Sequence, residues 1–339
     1  RREPGMTAIG MRPRARLNWE SVMQLKRRGF LAALAMPAWA QAPSDTRALR
    51  FVVPFPPGSG TDTSARYFAR KVTELTGQVV VVDNKPGANG FIAVRQVLAA
   101  PADGSTVFFG SNSTLAVNAA LFKSLPYDPV ADFAPLSMAM RAPALLITPA
   151  NAPYQSVAEL IAAARAQPGK LSFGAGSAGY QLMAELFNDA AGLQTLHVPF
   201  KGASEAVTAI ASGTVGFAFA EVTSAAELAK AGKLRALAVA SERRSPVLPQ
   251  VPTAAEAGLP GFTAYTWVAS MVPARTPRPE AERLAALMTR IEQLPETREF
   301  YEKLGAKVMK GGPEELRAFQ ATEIAQWKRI AAKAKVELQ

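Results

Sequence analysis

Short apolar runs of strand character alternate with amphipathic stretches of helical period along most of this chain, and that alternation limits its fold more than any other feature. The strand candidates are Leu49 to Phe55, Val79 to Asp83, Thr106 to Gly110, Leu136 to Met140, Ala144 to Thr148, Leu171 to Gly174, Thr195 to Val198, Val215 to Phe219 and Leu234 to Ala240. Helical stretches such as Asp62 to Leu75, Ile92 to Ala99, Val157 to Ala166 and Gln181 to Ala191 lie between them. In the first of these, Ala65, Phe68, Ala69, Val72 and Leu75 recur at three- and four-residue intervals, so one face packs on a sheet, and Asp62 stands at an N-cap position. The pattern predicts an α/β fold with mostly parallel sheets.

Two segments read as crossings between lobes. Arg141-Ala142-Pro143 breaks an apolar run into two strands, and the β-rich segment Pro260 to Pro273 follows the Pro-rich stretch Pro246 to Pro252. Two crossings predict a first lobe built from residues 43–140 plus 268–339, with a second lobe, 141–267, inserted between them. The tail supplies helices Pro279 to Gln293 and Pro313 to Ala334, packed back on lobe one. The length of 339 residues, with 49% apolar and 19% charged side chains, suits two lobes with separate cores.

The formal charge of +11 would point to nucleic acid or an anionic membrane if it sat on the folded domain. Much of it does not. Residues 1–40 carry eight basic side chains against Glu3 and Glu20, which leaves 30 basic and 25 acidic residues in the remainder. A net of +5 without an aromatic-interleaved basic run describes a mildly basic soluble domain and no nucleic-acid binder. Within 1–40, Lys26-Arg27-Arg28-Gly29, the apolar Phe30 to Met36 and the small-x-small Ala38-Trp39-Ala40 form an export signal cleaved near Ala40. Arg27-Arg28-Gly29-Phe30-Leu31 also fits a twin-arginine signal, so both export routes stay open. Residues 1–22 precede Met23, the natural start of that signal, and read as an upstream extension. The expected location is the periplasm. No run reaches the roughly 20 apolar residues of a membrane span, and zero cysteines remove disulfides, thiol nucleophiles and thiolate metal sites.

Three strand ends open through Gly-, Ser- or Thr-rich loops into helices: Pro56-Pro57-Gly58-Ser59-Gly60-Thr61-Asp62, Ser111-Asn112-Ser113-Thr114 and Ala175-Gly176-Ser177-Ala178-Gly179. Loops of this kind expose N–H groups at helix N-termini, where the partial positive charge favours an anion. Two loops from one lobe facing a third from the other make a cleft for a carboxylate, with no cofactor needed.

Rival chemistries lack their residues. Gly60 is followed by Thr61-Asp62 where a P-loop needs Lys and Ser or Thr, and Ala175 replaces the first Gly of a nucleophile elbow around Ser177. His197 is the single histidine, so multi-histidine metal sites are excluded and no metal is expected. A serine hydrolase using Ser177 and His197 is the alternative reading, although His197 lies in an apolar strand where a structural histidine is the commoner case.

Arg50 to Gly58 with Asp62, Asp83-Asn84-Lys85-Pro86-Gly87-Ala88-Asn89-Gly90, Ala102-Asp103-Gly104, Leu125-Pro126-Tyr127-Asp128-Pro129 with Asp132-Phe133, His197 to Gly202, and Val251-Pro252-Thr253 with Glu256-Ala257-Gly258 occur in this order. Together they resemble the solute receptors of tripartite tricarboxylate transporters, also called Bug proteins. The resemblance implies a periplasmic-binding-protein fold: two α/β lobes joined by two crossing segments, closing on a carboxylated solute for delivery to a membrane partner or a sensor. The expectation is a monomeric binding protein and no enzyme. The resemblance implies ligand contacts from Gly58, Ser59, Gly60, Thr61 and Asp62, from Ser111, Asn112, Ser113 and Thr114, and from Gly176, Ser177, Ala178 and Gly179, with Asp62 also able to serve only as a helix cap.

The chain departs from the family at two places. Gln181 stands where the family usually has His, and Ala220-Glu221 replaces a common Asp-Asn pair after the strand Val215 to Phe219. Glu221 is therefore a further candidate contact, able to accept a hydrogen bond from an amine, amide or hydroxyl, or else a surface charge.

Overall fold

The structure is a computed structural model that describes residues 47–334, 336, 338 and 339. The expected export signal and its expected cleavage near Ala40 lie outside the described residues. The strands in chain order are β1 (Leu49–Val53), β2 (Val80–Asn84), β3 (Thr106–Ser111), β4 (Phe133–Pro149), β5 (Ser172–Ala175), β6 (Leu196–Pro199), β7 (Phe217–Glu221), β8 (Leu234–Val239), β9 (Tyr265–Pro273) and β10 (Lys307–Val308). Helices Gly60–Thr76, Phe91–Ala99, Val157–Ala166, Ala178–Ala191, Ala203–Ala211 and Val222–Lys230 fill the intervals, and Arg278–Glu292, Pro295–Lys303 and Pro313–Lys333 form the tail.

The strands line up as β2-β1-β3-β9-β4-β7-β5-β6, with β8 and β10 also paired to β4. The outer pairs are parallel: β1 with β2 and β3, β5 with β6 and β7. The centre is antiparallel, since β9 runs against both β3 and β4, and β4 runs against β7, β8 and β10. The expectation of mostly parallel sheets therefore holds for the flanks only. β9 arrives late in sequence and inserts between β3 and β4, and hydrophobic period carries no information about which way a partner runs.

The chain has two α/β lobes sharing two long strands. β4 is a single strand of 17 residues and not the two expected around Arg141-Ala142-Pro143. Its first part pairs with β9 from Phe133↔Pro273 to Pro143↔Tyr265, and from Ala144 it pairs with β7 and β8. Pro143 falls where the strand changes partners, a position at which a missing N–H costs the ladder least.

Aromatic rings pack on each side, and one buried cluster runs across both lobes, joining Phe108 and Phe133 to Phe173 and Phe187, so the expected separate cores are continuous. Phe51, Phe68 and Phe109 pack around β1 and β3, with centroids 4.8 Å apart for Phe51–Phe109 and 5.6 Å for Phe68–Phe109. Phe173, Phe187, Phe217 and Phe219 do the same for the second lobe, where Phe187 meets Phe217 at 5.7 Å and Phe219 at 5.9 Å. Truncating one such ring to alanine costs about 3–5 kcal/mol. The tail returns to the first lobe: the Glu323 carboxylate, buried on the last helix, accepts from Trp267 Nε1 at 2.7 Å, Trp327 Nε1 at 3.1 Å and the Tyr265 hydroxyl at 2.9 Å. That cluster fixes the helix Pro313–Lys333 to β9.

Candidate functional site between the lobes

The first loop turns sharply at Gly58, whose φ of +83° is open to glycine at little cost. Ser59 then caps the helix Gly60–Thr76 by accepting the Asp62 N–H at 3.2 Å. The Asp62 carboxylate is spent locally: it accepts the Gly58 N–H at 2.9 Å, Asn84 Nδ2 at 2.9 Å and Arg66 Nε at 3.0 Å. Ser59, Gly60 and Thr61 are left facing the second lobe.

The second loop follows β3, whose six residues are all buried. Here Ser113–Val117 form a π-type turn before the short helix Asn118–Leu121. Thr114 Oγ1 accepts the Ser111 N–H and donates to the Ser111 carbonyl, both at 3.2 Å, so this hydroxyl braces its own turn. Asn112 is 1% exposed, and neither its Oδ1 nor its Nδ2 has a hydrogen-bond partner. A buried amide left in this way costs about 1–3 kcal/mol, and Asn112 lines the crevice between the lobes.

The third loop depends on close backbone approach. A Cβ on Gly176 would sit 2.2 Å from the carbonyl carbon of Gly202, so only glycine fits there. Ser177 precedes the helix Ala178–Ala191 without capping it by its own side chain. The cap comes from the opposite lobe: Ser113 Oγ accepts the Gly179 N–H at 3.1 Å and donates to Ser177 Oγ at 2.9 Å.

The reverse contact is made by Glu221 at the end of β7. Its Oε2 accepts the Gly60 N–H at 2.9 Å and the Thr223 hydroxyl at 3.1 Å. Each lobe thus caps the helix N-terminus of the other, Ser113 in one direction and Glu221 in the other. Burial pushes the Glu221 carboxyl above its ordinary range, partly offset by the hydroxyls of Tyr180 and Thr223, the Gly60 N–H and Thr266. Burial and then the neighbouring Glu221 carboxylate push the Tyr180 hydroxyl well up. The Tyr180 and Thr266 hydroxyls sit near Glu221 but make no well-formed hydrogen bond.

Of the expected contacts, Ser59, Thr61, Ser111, Asn112, Ser113, Gly176, Ser177 and Glu221 line one narrow crevice of about 10 Å³, and Gly60 and Gly179 turn their N–H groups onto its walls. Gly58, Asp62, Thr114 and Ala178 are not among its lining residues, and Gly58 is exposed. Gly58 donates its N–H to Asp62, and Ala178 is buried in the first turn of its helix. Phe55, Tyr180, Ala203 and Thr266 complete the lining without having been expected. Tyr180 had a legible signal, because it lies one turn beyond Ser177 on the same helix. Thr266 had none.

Several larger grooves lie elsewhere, two of them along β4. One of about 980 Å³ runs between the tail helices past Ala285, Thr289 and Ala318, and one of about 510 Å³ lies by Arg141, Arg243 and Lys307. Neither gathers strand-to-helix loops, and size alone is no guide to chemistry. Among the described residues no cluster of three or more His, Cys, Asp or Glu could hold a metal, and no helix is long and apolar enough to cross a membrane.

His197 stacks on Phe173 with centroids 5.0 Å apart, and its buried Nε2 has no partner. Burial lowers its basicity. Ser177 is bonded to Ser113 instead, so the two residues of a hydrolase pair serve different neighbours.

Residues 64–336 match the profile of the tripartite tricarboxylate transporter family receptor. The protein BugT of Bordetella pertussis (strain Tohama I) is 35% identical over 305 residues, covering 88% of this chain and 93% of its own. Two solved structures superpose over nearly their whole length. One, described as R. palustris Rpa4515 with adipate, has 33% identity and a TM-score of 0.83, covering 87% of this chain and 99% of that one. The other, periplasmic binding protein BugD, has 30% identity and a TM-score of 0.81, covering 86% and 99%. A two-lobed fold, three loops converging from both lobes and a match over most of the chain agree: this protein belongs to the tripartite tricarboxylate transporter receptor family, the Bug proteins.

Proposed function

We propose that the protein captures a small carboxylated solute in the crevice between its lobes and presents it, as a monomer exported to the periplasm, to membrane transporter subunits or a sensor. The observation that carries this reading is Asn112: a buried amide with both polar atoms unpartnered, set among the hydroxyls of Ser59, Thr61, Ser111, Ser113 and Ser177. Such groups hold a carboxylate by hydrogen bonds without a fixed positive charge, and the adjoining helix N-termini add favourable field. A crevice of about 10 Å³ is near the minimum for one water, so solute enters when the lobes part and is enclosed when they return. The shared strands β4 and β9 are the hinge in this account, with lobe one as 43–140 plus 268–339 and lobe two as 141–267. Binding is the activity. The hydrolase alternative draws no support from a Ser177 held by Ser113 and a His197 stacked on Phe173.

A thermal-shift panel of mono-, di- and tricarboxylates, amino acids and aromatic acids tests the reading. One member should raise the melting temperature at micromolar concentration, as mass action requires of a ligand that binds only the folded state. Stabilisation by none of them contradicts it.

A further inference from the structure

The crevice contains a carboxylate of the protein's own. Glu221 is 6% exposed, and its Oε2 lies on the first N–H of the helix Gly60–Thr76. The approach depends on Gly60: a Cβ there would stand 2.1 Å from Glu221 Oε2. Thr223 Oγ1 holds the same oxygen from the following helix. The root of the side chain is rigid, because Glu221 is paired with Ala144 in the ladder between β7 and β4.

A solute carboxylate brought to this end of the crevice would compete for the Gly60 N–H. It would also face a second anion in the same narrow crevice, a like-charge repulsion that the buried setting screens little. A donor at this end meets no such conflict. A carboxylate offers about four lone-pair sites; Gly60 and Thr223 take two, and because the nearby Tyr180 and Thr266 hydroxyls make no well-formed bond to it, acceptor capacity remains for one more N–H. The part of the lining formed by Asn112, Ser113 and Ser177 carries hydroxyl and amide donors, and Glu221 is the one acidic side chain among the crevice's lining residues.

Resting on the carboxylate-capture reading above, we infer that Glu221 is the residue that determines specificity, and that it selects a solute with one carboxylate and a nitrogen donor at its far end over a dicarboxylate of the same length. The carboxylate of the solute takes the Asn112–Ser113–Ser177 wall, and its amino group donates to Glu221. The built-in carboxylate takes the place that the second carboxylate of a dicarboxylate would need.

Matched pairs of probes test this by calorimetric titration of the whole protein: 4-aminobutanoate against succinate, 5-aminopentanoate against glutarate, and 6-aminohexanoate against adipate. For the best-fitting length, the wild type should bind the amino acid at least about tenfold more tightly than the diacid. Glu221→Gln, which keeps shape and an acceptor for Gly60 but loses the charge, should bring the two to within about threefold or reverse the order. Glu221→Ala serves as a second variant, and the ratio is taken within one protein so that the folded fraction cancels. Tighter binding of the diacid by the wild type, or a ratio unmoved in both variants, overturns the inference while leaving carboxylate capture intact. Binding of neither probe class by the wild type overturns this inference, and carboxylate capture falls with it only where the wider panel of acids also fails to stabilise the protein.

Discussion

Glu221 Oε2 and the Gly60 N–H meet at 2.9 Å across the line between the lobes, so that a strand end of one lobe caps the first helix of the other. A capping residue normally precedes its helix by one position, and this one is 161 residues away. The contact couples lobe closure to one buried carboxyl group. Gly60→Ala should push that carboxyl out of place, since the added Cβ overlaps it. In a double-mutant cycle with Glu221→Ala, the two substitutions should fall short of additive by about 1–2 kcal/mol in denaturant unfolding. Additive losses would show that the pair contributes nothing.

The same carboxyl makes stability depend on pH with a definite sign. Its folded value lies above the ordinary 4.5 because of burial, so the folded protein holds this proton more tightly than the unfolded chain. Its stabilising contribution is complete below the ordinary value and is lost as pH rises through the raised one. Glu185 and Glu292 shift in the same direction through burial, so the wild type is compared with Glu221→Gln. The variant should gain on the wild type in melting temperature between about pH 4 and pH 8. A constant difference across that range contradicts the assignment.

Ser113 makes the reciprocal cap. Ser113→Ala removes the acceptor of the Gly179 N–H and the partner of Ser177. The expected loss is about 1–3 kcal/mol in urea unfolding, together with at least about tenfold weaker binding of the stabilising carboxylate. A loss of stability without a change in affinity would make Ser113 structural only.

Glu323 is one buried anchor of the tail, beside Arg317 and Gln320, which donate to loop carbonyls of the first lobe. Glu323→Ala leaves two indole N–H groups and the Tyr265 hydroxyl without their acceptor. The expected cost is about 3 kcal/mol or more, read as a fall of several degrees in melting temperature. A shift of under one degree would mean that the buried cluster is replaceable.

The loops were legible because Gly-, Ser- and Thr-rich strand ends write their turns locally, but the cap expected at Asp62 belongs to Ser59, three positions earlier, and Asp62 lies in the first turn as its partner. The convergence of the loops followed from the rule that ligands gather at the carboxyl ends of strands. What escaped was non-local. The continuity of β4 through Pro143 depends on β9, which lies more than a hundred residues further on, and the antiparallel centre depends on the same late strand. Trans-capping left no trace either, since capping motifs are read from neighbours in sequence and Ser113 and Gly179 are 66 residues apart. Glu221 stood out only as a departure from the family pattern, and Thr266 in β9 gave no signal.

A crystal structure of the protein with the carboxylate that most raises its melting temperature tests the account most directly. The predicted result places the carboxyl group of the solute between the lobes, within hydrogen-bond distance of Asn112 and at least one of Ser113 and Ser177. A carboxylate seated outside the crevice, such as in the groove between the helices Arg278–Glu292 and Pro313–Lys333, with Asn112 still unpartnered, would contradict it.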